Sequence, residues 1–166
     1  MLTLNAFIRK VPDRVVYWGT SGQRITDSYH FDACCMKELL DYSRLLHGKD
    51  IRGQLTPPSF EDIKTNIQFH YDTIRKYASS TGRSIYSFGW LLDIARCIYT
   101  LRTGKIISKT AAGEWALQNC LFHNITALET ALEVRKNPQK YLESAELQAL
   151  SGKLGNAIQQ YADVLE

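Results

Sequence analysis

The sequence predicts a mainly α protein: an antiparallel helical bundle preceded by a small irregular or β portion at the N-terminus. Three observations carry that expectation. Apolar residues recur at three- and four-residue intervals from Asp32 onward, cap-type residues head each such run, and the links between runs are short. With 166 residues, 45% hydrophobic and 22% charged, the chain can bury a core of its own without a metal or disulfide staple. Its net charge of +3 admits contact with anions but lacks the dense basic patch of a nucleic-acid binder. No apolar run approaches the ~18 residues of a membrane span.

Residues 1–30 read as irregular, with one strand-like run, "RVVYW" at 14–18, followed by the turn-rich "GTSGQ". From Asp32 the period is helical, through Cys35, Leu39, Tyr42 and Leu46 to Gly48. A loop at 49–59 follows, and its two prolines mark the clearest boundary, dividing the chain into residues 1–55 and 56–166. Ser59 is a cap candidate with Glu61 and Asp62 in the first turn behind it, and Ile63, Ile67, His70, Ile74 and Tyr77 stripe a helix up to Gly82. The next helix spans about 84–103, from Ser84, with Ile85, Phe88, Leu92, Ala95 and Tyr99 on its face. A third opens at Ser108 and carries Ala112 and Trp115. A fourth opens near Asn124, shows Ile125, Leu128, Leu132 and Arg135, and stops at Asn137-Pro138. The last, capped by Ser144, runs through Leu147, Leu150, Leu154, Ile158, Tyr161 and Leu165. The phrases "STGR" (80–83) and "RTGK" (102–105) use one C-terminal device, a glycine followed by a basic residue.

Cys34, Cys35, Cys97 and Cys120 read as free thiols of a reducing, cytoplasmic compartment, because no secretory signal heads the chain. His30, Cys34 and Cys35 would make an incomplete zinc set with no C-x-x-C to finish it. His70, on an apolar stripe, reads as a core residue, and His123 as part of a helix junction. Trp90 and Trp115 read as core anchors.

One position conflicts with helix physics. Lys109 is the first residue inside the helix that Ser108 caps, where the helix dipole is positive. No acidic residue occurs from Ile94 to Gly113, while Arg96, Arg102, Lys105 and Lys109 contribute four positive charges. Ser108 and Thr110 add hydroxyls beside amide N–H groups. Such a set suits an anion, most simply phosphate. The alternative is a solvated lysine that costs roughly a few tenths of a kcal/mol against the dipole. The P-loop pattern is absent.

The segment "LLDIARCIYTLRTGKIISKTAAGEWAL" (91–117) resembles the C-terminal helical domain of the aminoglycoside adenylyltransferases that modify streptomycin and spectinomycin. The resemblance extends backwards over "YHFDACCMKELLDYSRLLHG" (29–48), similar to the closing helix of that family's nucleotidyltransferase domain. It extends forwards over "ALETALEVRKNP" (127–138). It implies that Lys109, with Ser108, contacts ATP phosphates, that Arg135 supports the nucleotide, and that Asp32 lies beside nucleotide and metal. A plain helix N-cap is the other reading of Asp32. Trp18 would match an aromatic near the antibiotic. ATP and Mg²⁺ are the implied cofactors, and an aminoglycoside or other hydroxyl compound the implied acceptor.

The departures are as informative. The family's catalytic domain carries a Gly-Ser turn and a D-x-D pair that holds Mg²⁺. In "GTSGQRITDSYHFD" (19–32) Asp27 is followed two residues on by Tyr29, so that pair is missing. Gly82 and Tyr86 stand near the places of the acids that grip the cationic antibiotic. Residues 1–55 are therefore expected to be the tail end of a nucleotidyltransferase-like domain, and 56–166 the helical bundle that closes its cleft, inactive alone. The competing expectation is an interaction module that partners a separate minimal nucleotidyltransferase, another chain or a second copy. An RNA-cleaving version needs Arg and His with four to six residues between them on one helix, and none of the helical stretches read here carries such a pair.

Overall fold

Most helices in the computed structural model begin at a side chain that closes their first turn. The structure describes residues 4–9, 11–19, 22–29, 31–81 and 87–165, in two units, residues 1–66 and 67–166. The zinc candidate His30 and the residues Gly82, Ser84, Ile85 and Tyr86 lie outside the described residues.

The first unit contains α1 (Leu4–Arg9), the antiparallel strands β1 (Asp13–Gly19) and β2 (Gly22–Tyr29), α2 (Ala33–Tyr42) and a single tight turn, Arg52–Gln54. In the hairpin Val16 faces Ile25 and Trp18 faces Gln23, with an irregularity between Asp13 and Val15. Both α1 and β2 replace what was expected to be irregular chain. Only β1 has the run of β-branched and aromatic residues, Val15 to Trp18, that marks a strand by itself; β2 owes its form to pairing with it. Val15 and Met36 are buried, and the Phe31 ring meets Phe7 edge-on at 5.2 Å.

The first helix expected from the periodicity is shorter than its stripe. Asp32 caps α2 by accepting from the Cys35 N–H at 2.7 Å. The helix ends at Tyr42, where Ser43 turns extended, and the Ser43 carbonyl accepts from Arg52 Nη1 at 2.8 Å. Leu46 is 91% exposed. The heptad-like spacing continued past Tyr42, but no apolar surface was there to reward it.

Helix α3 (Phe60–Thr81) runs through the boundary between the units. Ser59 and Asp62 form a reciprocal cap: the Ser59 N–H donates to Asp62 Oδ2 at 2.9 Å and the Asp62 N–H to Ser59 Oγ at 3.1 Å. The second unit continues with α4 (Phe88–Thr103), α5 (Lys109–Gln118), α6 (Ile125–Lys136), α7 (Pro138–Tyr141), α8 (Ala145–Ser151) and α9 (Leu154–Asp163). Its core holds Ile74, Leu91, Leu92, Ile94, Leu128 and Ile158. Two links bring its ends together. Phe122 stacks on Tyr161 at 3.9 Å, and the Tyr161 hydroxyl donates to the Asn124 carbonyl. Arg75 of α3 donates to Gln159 Oε1 at 3.0 Å and to Asp163 Oδ1 at 2.6 Å on α9.

The last expected helix is two helices. Its stripe reads unbroken from Leu147 to Leu165, yet the chain turns at Gly152–Lys153, and Leu150 is exposed. Buried Ser151 donates its hydroxyl to the Gln148 carbonyl at 2.7 Å, a local bond that competes with the helical ladder beside a glycine.

Candidate functional site

The site is built on the link between α4 and α5. Gly104 ends α4 with φ of +68°, a conformation that suits glycine. Ile106 is buried and anchors the short loop, and Ser108 opens α5 by accepting from the Ala111 N–H at 3.1 Å. Small residues then bring α5 close to its neighbours: Ala112 and Ala116 are buried, and a Cβ on Gly113 would lie 2.7 Å from Leu92 Cδ2 and 2.9 Å from Leu132 Cδ2. Helix α5 is thus seated against α4 and α6 one turn beyond Lys109. On the α6 side, Lys136 Nζ reaches Glu114 Oε1 at 2.6 Å.

Lys109 does not stand against the dipole unaided. Its ammonium donates to Asp93 Oδ2 of α4 at 2.7 Å. Asp93 is 5% exposed at its side chain, and Arg96, one turn along α4, places Nη2 3.2 Å from its other oxygen. From α3, His70 Nε2 lies 4.0 Å from Asp93 Oδ2. Two cations and an imidazole therefore converge on one buried carboxylate. The charge balance explains the placement: a carboxylate removed from water needs close, hydrogen-bonded partners, and Lys109 and Arg96 are those partners. Both cations keep an outward face, with side chains 29% and 27% exposed. Chemically this is a fixed pair of positive groups, half turned to solvent, at the start of a helix.

Asp93 is the residue that sequence reasoning missed. The acid-free stretch from Ile94 to Gly113 starts one position after it. A signal existed: Asp93 is a lone carboxylate inside the apolar run Phe88–Ala95, and a buried polar group among apolar neighbours is more informative than any exposed charge. His70, read as a core histidine, is 44% exposed and sits beside this carboxylate.

A family model described as the aminoglycoside adenylyltransferase C-terminal domain matches residues 62–159, more than half of the chain. The chain belongs to this family. The match to the adenylyltransferase C-terminal domain covers all four residues of the cluster. No curated protein and no solved structure matches the chain.

The other residues expected at the site are described each in its own unit. Ser108 uses its hydroxyl as the α5 cap. Arg135 is exposed in the last turn of α6, where a cation suits the helix dipole. Asp32 and Trp18 belong to the first unit, Asp32 as the cap of α2 and Trp18 on β1. Next to Asp32, Cys35 has its thiol pushed up to about 12 by burial and by the Asp32 carboxylate, so it stays protonated at neutral pH. Among the described residues no three His, Cys, Asp or Glu side chains are grouped to hold a metal ion, and no helix is long and apolar enough to cross a membrane.

Proposed function

We propose that this chain is the nucleotide- and substrate-cleft helical domain of an ATP-dependent aminoglycoside-type nucleotidyltransferase. Lys109 takes the ATP phosphates, Arg96 stands beside it, Ser108 shapes the helix start, and Arg135 supports the nucleotide. Residues 1–55 are read as the tail end of a nucleotidyltransferase-like domain, with Asp32 serving near the nucleotide and Trp18 toward an aminoglycoside or other hydroxyl acceptor. A nucleotide-using domain with free thiols belongs in the reducing cytoplasm. The observation that carries this reading is the buried Asp93, which fixes the Lys109 ammonium at the head of α5 in company with Arg96.

Phosphate fits this set. Lysine and arginine at fixed positions neutralise charge on a polyphosphate, and an ammonium that gives one hydrogen to Asp93 has two left to give. Among the described residues no group of carboxylates stands ready to hold Mg²⁺. The sequence contains no D-x-D, and Asp32 commits Oδ1 to the Cys35 N–H. We therefore assign the metal-holding carboxylates to another segment or to a partner chain, and no step to these residues beyond binding and orienting the phosphates. AMP transfer to streptomycin by the 166 residues alone is expected to be undetectable, and measurable transfer refutes that assignment.

The test is calorimetric titration of Mg-ATP, of ATP alone and of streptomycin into the protein and into Lys109→Gln, which keeps a donor for Asp93. Heat from ATP that the variant loses supports the reading. Absence of heat from the wild-type chain favours the interaction module, whose partner would be a catalytic chain or a second copy.

A further inference from the structure

We propose that Asp93 is the positioning residue of the phosphate grip: it holds Lys109 and Arg96 in fixed places so that a phosphate comes to them, and it does not release Lys109 to meet the phosphate. This rests on the reading of Lys109 as a phosphate ligand given above.

Two mechanisms are open to a lysine already bonded to a carboxylate. In one, the carboxylate is a latch, and an incoming anion pulls the ammonium away. In the other, the ammonium stays and the anion takes its remaining hydrogens. Burial decides between them. The Asp93 side chain is 5% exposed, so it cannot follow Lys109 outward or gain water in its place. Losing the 2.7 Å bond would leave a buried carboxylate with Arg96 at 3.2 Å and the His70 ring at 4.0 Å. That loss exceeds what one further charge-assisted bond near solvent returns. The groups facing Asp93 come from three helices, His70 on α3, Arg96 on α4 and Lys109 on α5, so the carboxylate also sets the spacing of the two cations across a helix pair. Helix α5 is packed closely on its neighbours, since a Cβ at Gly113 would lie 2.7 Å from Leu92 Cδ2 and 2.9 Å from Leu132 Cδ2, which leaves little room for it to tilt toward them. Such support is how a binding group is held to the tolerance that a fixed geometry demands.

The two mechanisms give opposite signs in Asp93→Asn. Charge alone predicts tighter ATP binding, since a negative charge has been removed from beside two cations. Positioning predicts weaker binding, on the order of tenfold, and the fall should appear with inorganic tripolyphosphate as well as with ATP. Weaker binding of both by a folded Asp93→Asn supports the proposal; equal or tighter binding overturns it while leaving the phosphate reading intact. A wild-type chain that binds neither ligand overturns the phosphate reading, and this inference with it. A measurement on the wild-type chain stands independent of whether the variant folds. The ¹³C resonance of the Asp93 carboxylate and the ¹⁵N resonance of the Lys109 ammonium should keep their mutual hydrogen bond when tripolyphosphate saturates the protein. Loss of that bond on saturation identifies a latch and overturns the proposal.

Discussion

Replacing Lys109 by alanine sets two forces against each other. Lysine at the first position of α5 opposes the helix dipole, so its removal gains roughly 0.3–1 kcal/mol if the side chain is otherwise only solvated. Against this stands Asp93. Removing one partner of a fully buried ion pair costs about 3–5 kcal/mol. Here Lys109 is 29% exposed and Arg96 remains 3.2 Å from the second carboxylate oxygen. Partial solvation and the surviving cation reduce the loss to about 2–3 kcal/mol. The net expectation is a destabilisation of roughly 1–2.7 kcal/mol, equivalent to a fall in Tm of about 2–11 °C for a chain of this size. Asp93→Asn should cost less than Lys109→Ala, because the two cations it leaves can turn toward water whereas an orphaned carboxylate cannot. Thermal and urea unfolding at pH 7, followed by far-UV circular dichroism, read both changes. A Tm for Lys109→Ala that is unchanged or higher refutes the reasoning, since it restores the solvated-lysine account.

Further outcomes follow from other positions. Gly113→Ala gains about 1 kcal/mol of helix propensity and meets overpacking of about 1–3 kcal/mol against Leu92 and Leu132. Its Tm should fall, and a rise would mean that the leucines yield freely. Burial pushes the Tyr161 phenol from 10 up to about 12, and the Cys35 thiol from 9 up to about 12. Both neutral forms favour the folded state, so their contribution is complete below the unfolded pKa and is lost as pH rises toward 12. Stability should decline above about pH 9–10, and Tyr161→Phe should flatten that slope between pH 10 and 12 in a series of unfolding curves. Under native conditions at pH 8, a maleimide should label exposed Cys120 first and buried Cys97 last, as peptide mass spectrometry over time will show; equal rates would contradict the packing of α4.

What could be read from the sequence was what is decided locally. Asp32, Ser59, Ser108, Asn124 and Ser144 each stand where their helix starts, because a cap bonds to an amide two or three residues away. Gly104 ends α4 for an equally local reason. The misses need partners distant in sequence. Strand β2 depends on β1, and the end of α2 on Arg52. The break at Gly152 depends on which face of the last segment finds the core. The site divides in the same way. Lys109 was visible as an anomaly at a helix start, but its explanation lies sixteen residues back on another helix, in a carboxylate whose apolar neighbours hint at burial while no spacing pairs it with Lys109.

The links from Arg75 to Gln159 and Asp163, and from Phe122 and Asn124 to Tyr161, have a consequence in time. They join α3, and the segment between α5 and α6, to α9, across as many as 88 positions of sequence. Contacts between residues that far apart in sequence are closed late. Helices α4, α5 and α6 adjoin in sequence and pack on one another, so the ground beneath Lys109 can form while synthesis continues. The circuit through α3 and α9 waits until α9 has been made, and until then the apolar surface that Tyr161 and Ile158 cover is open.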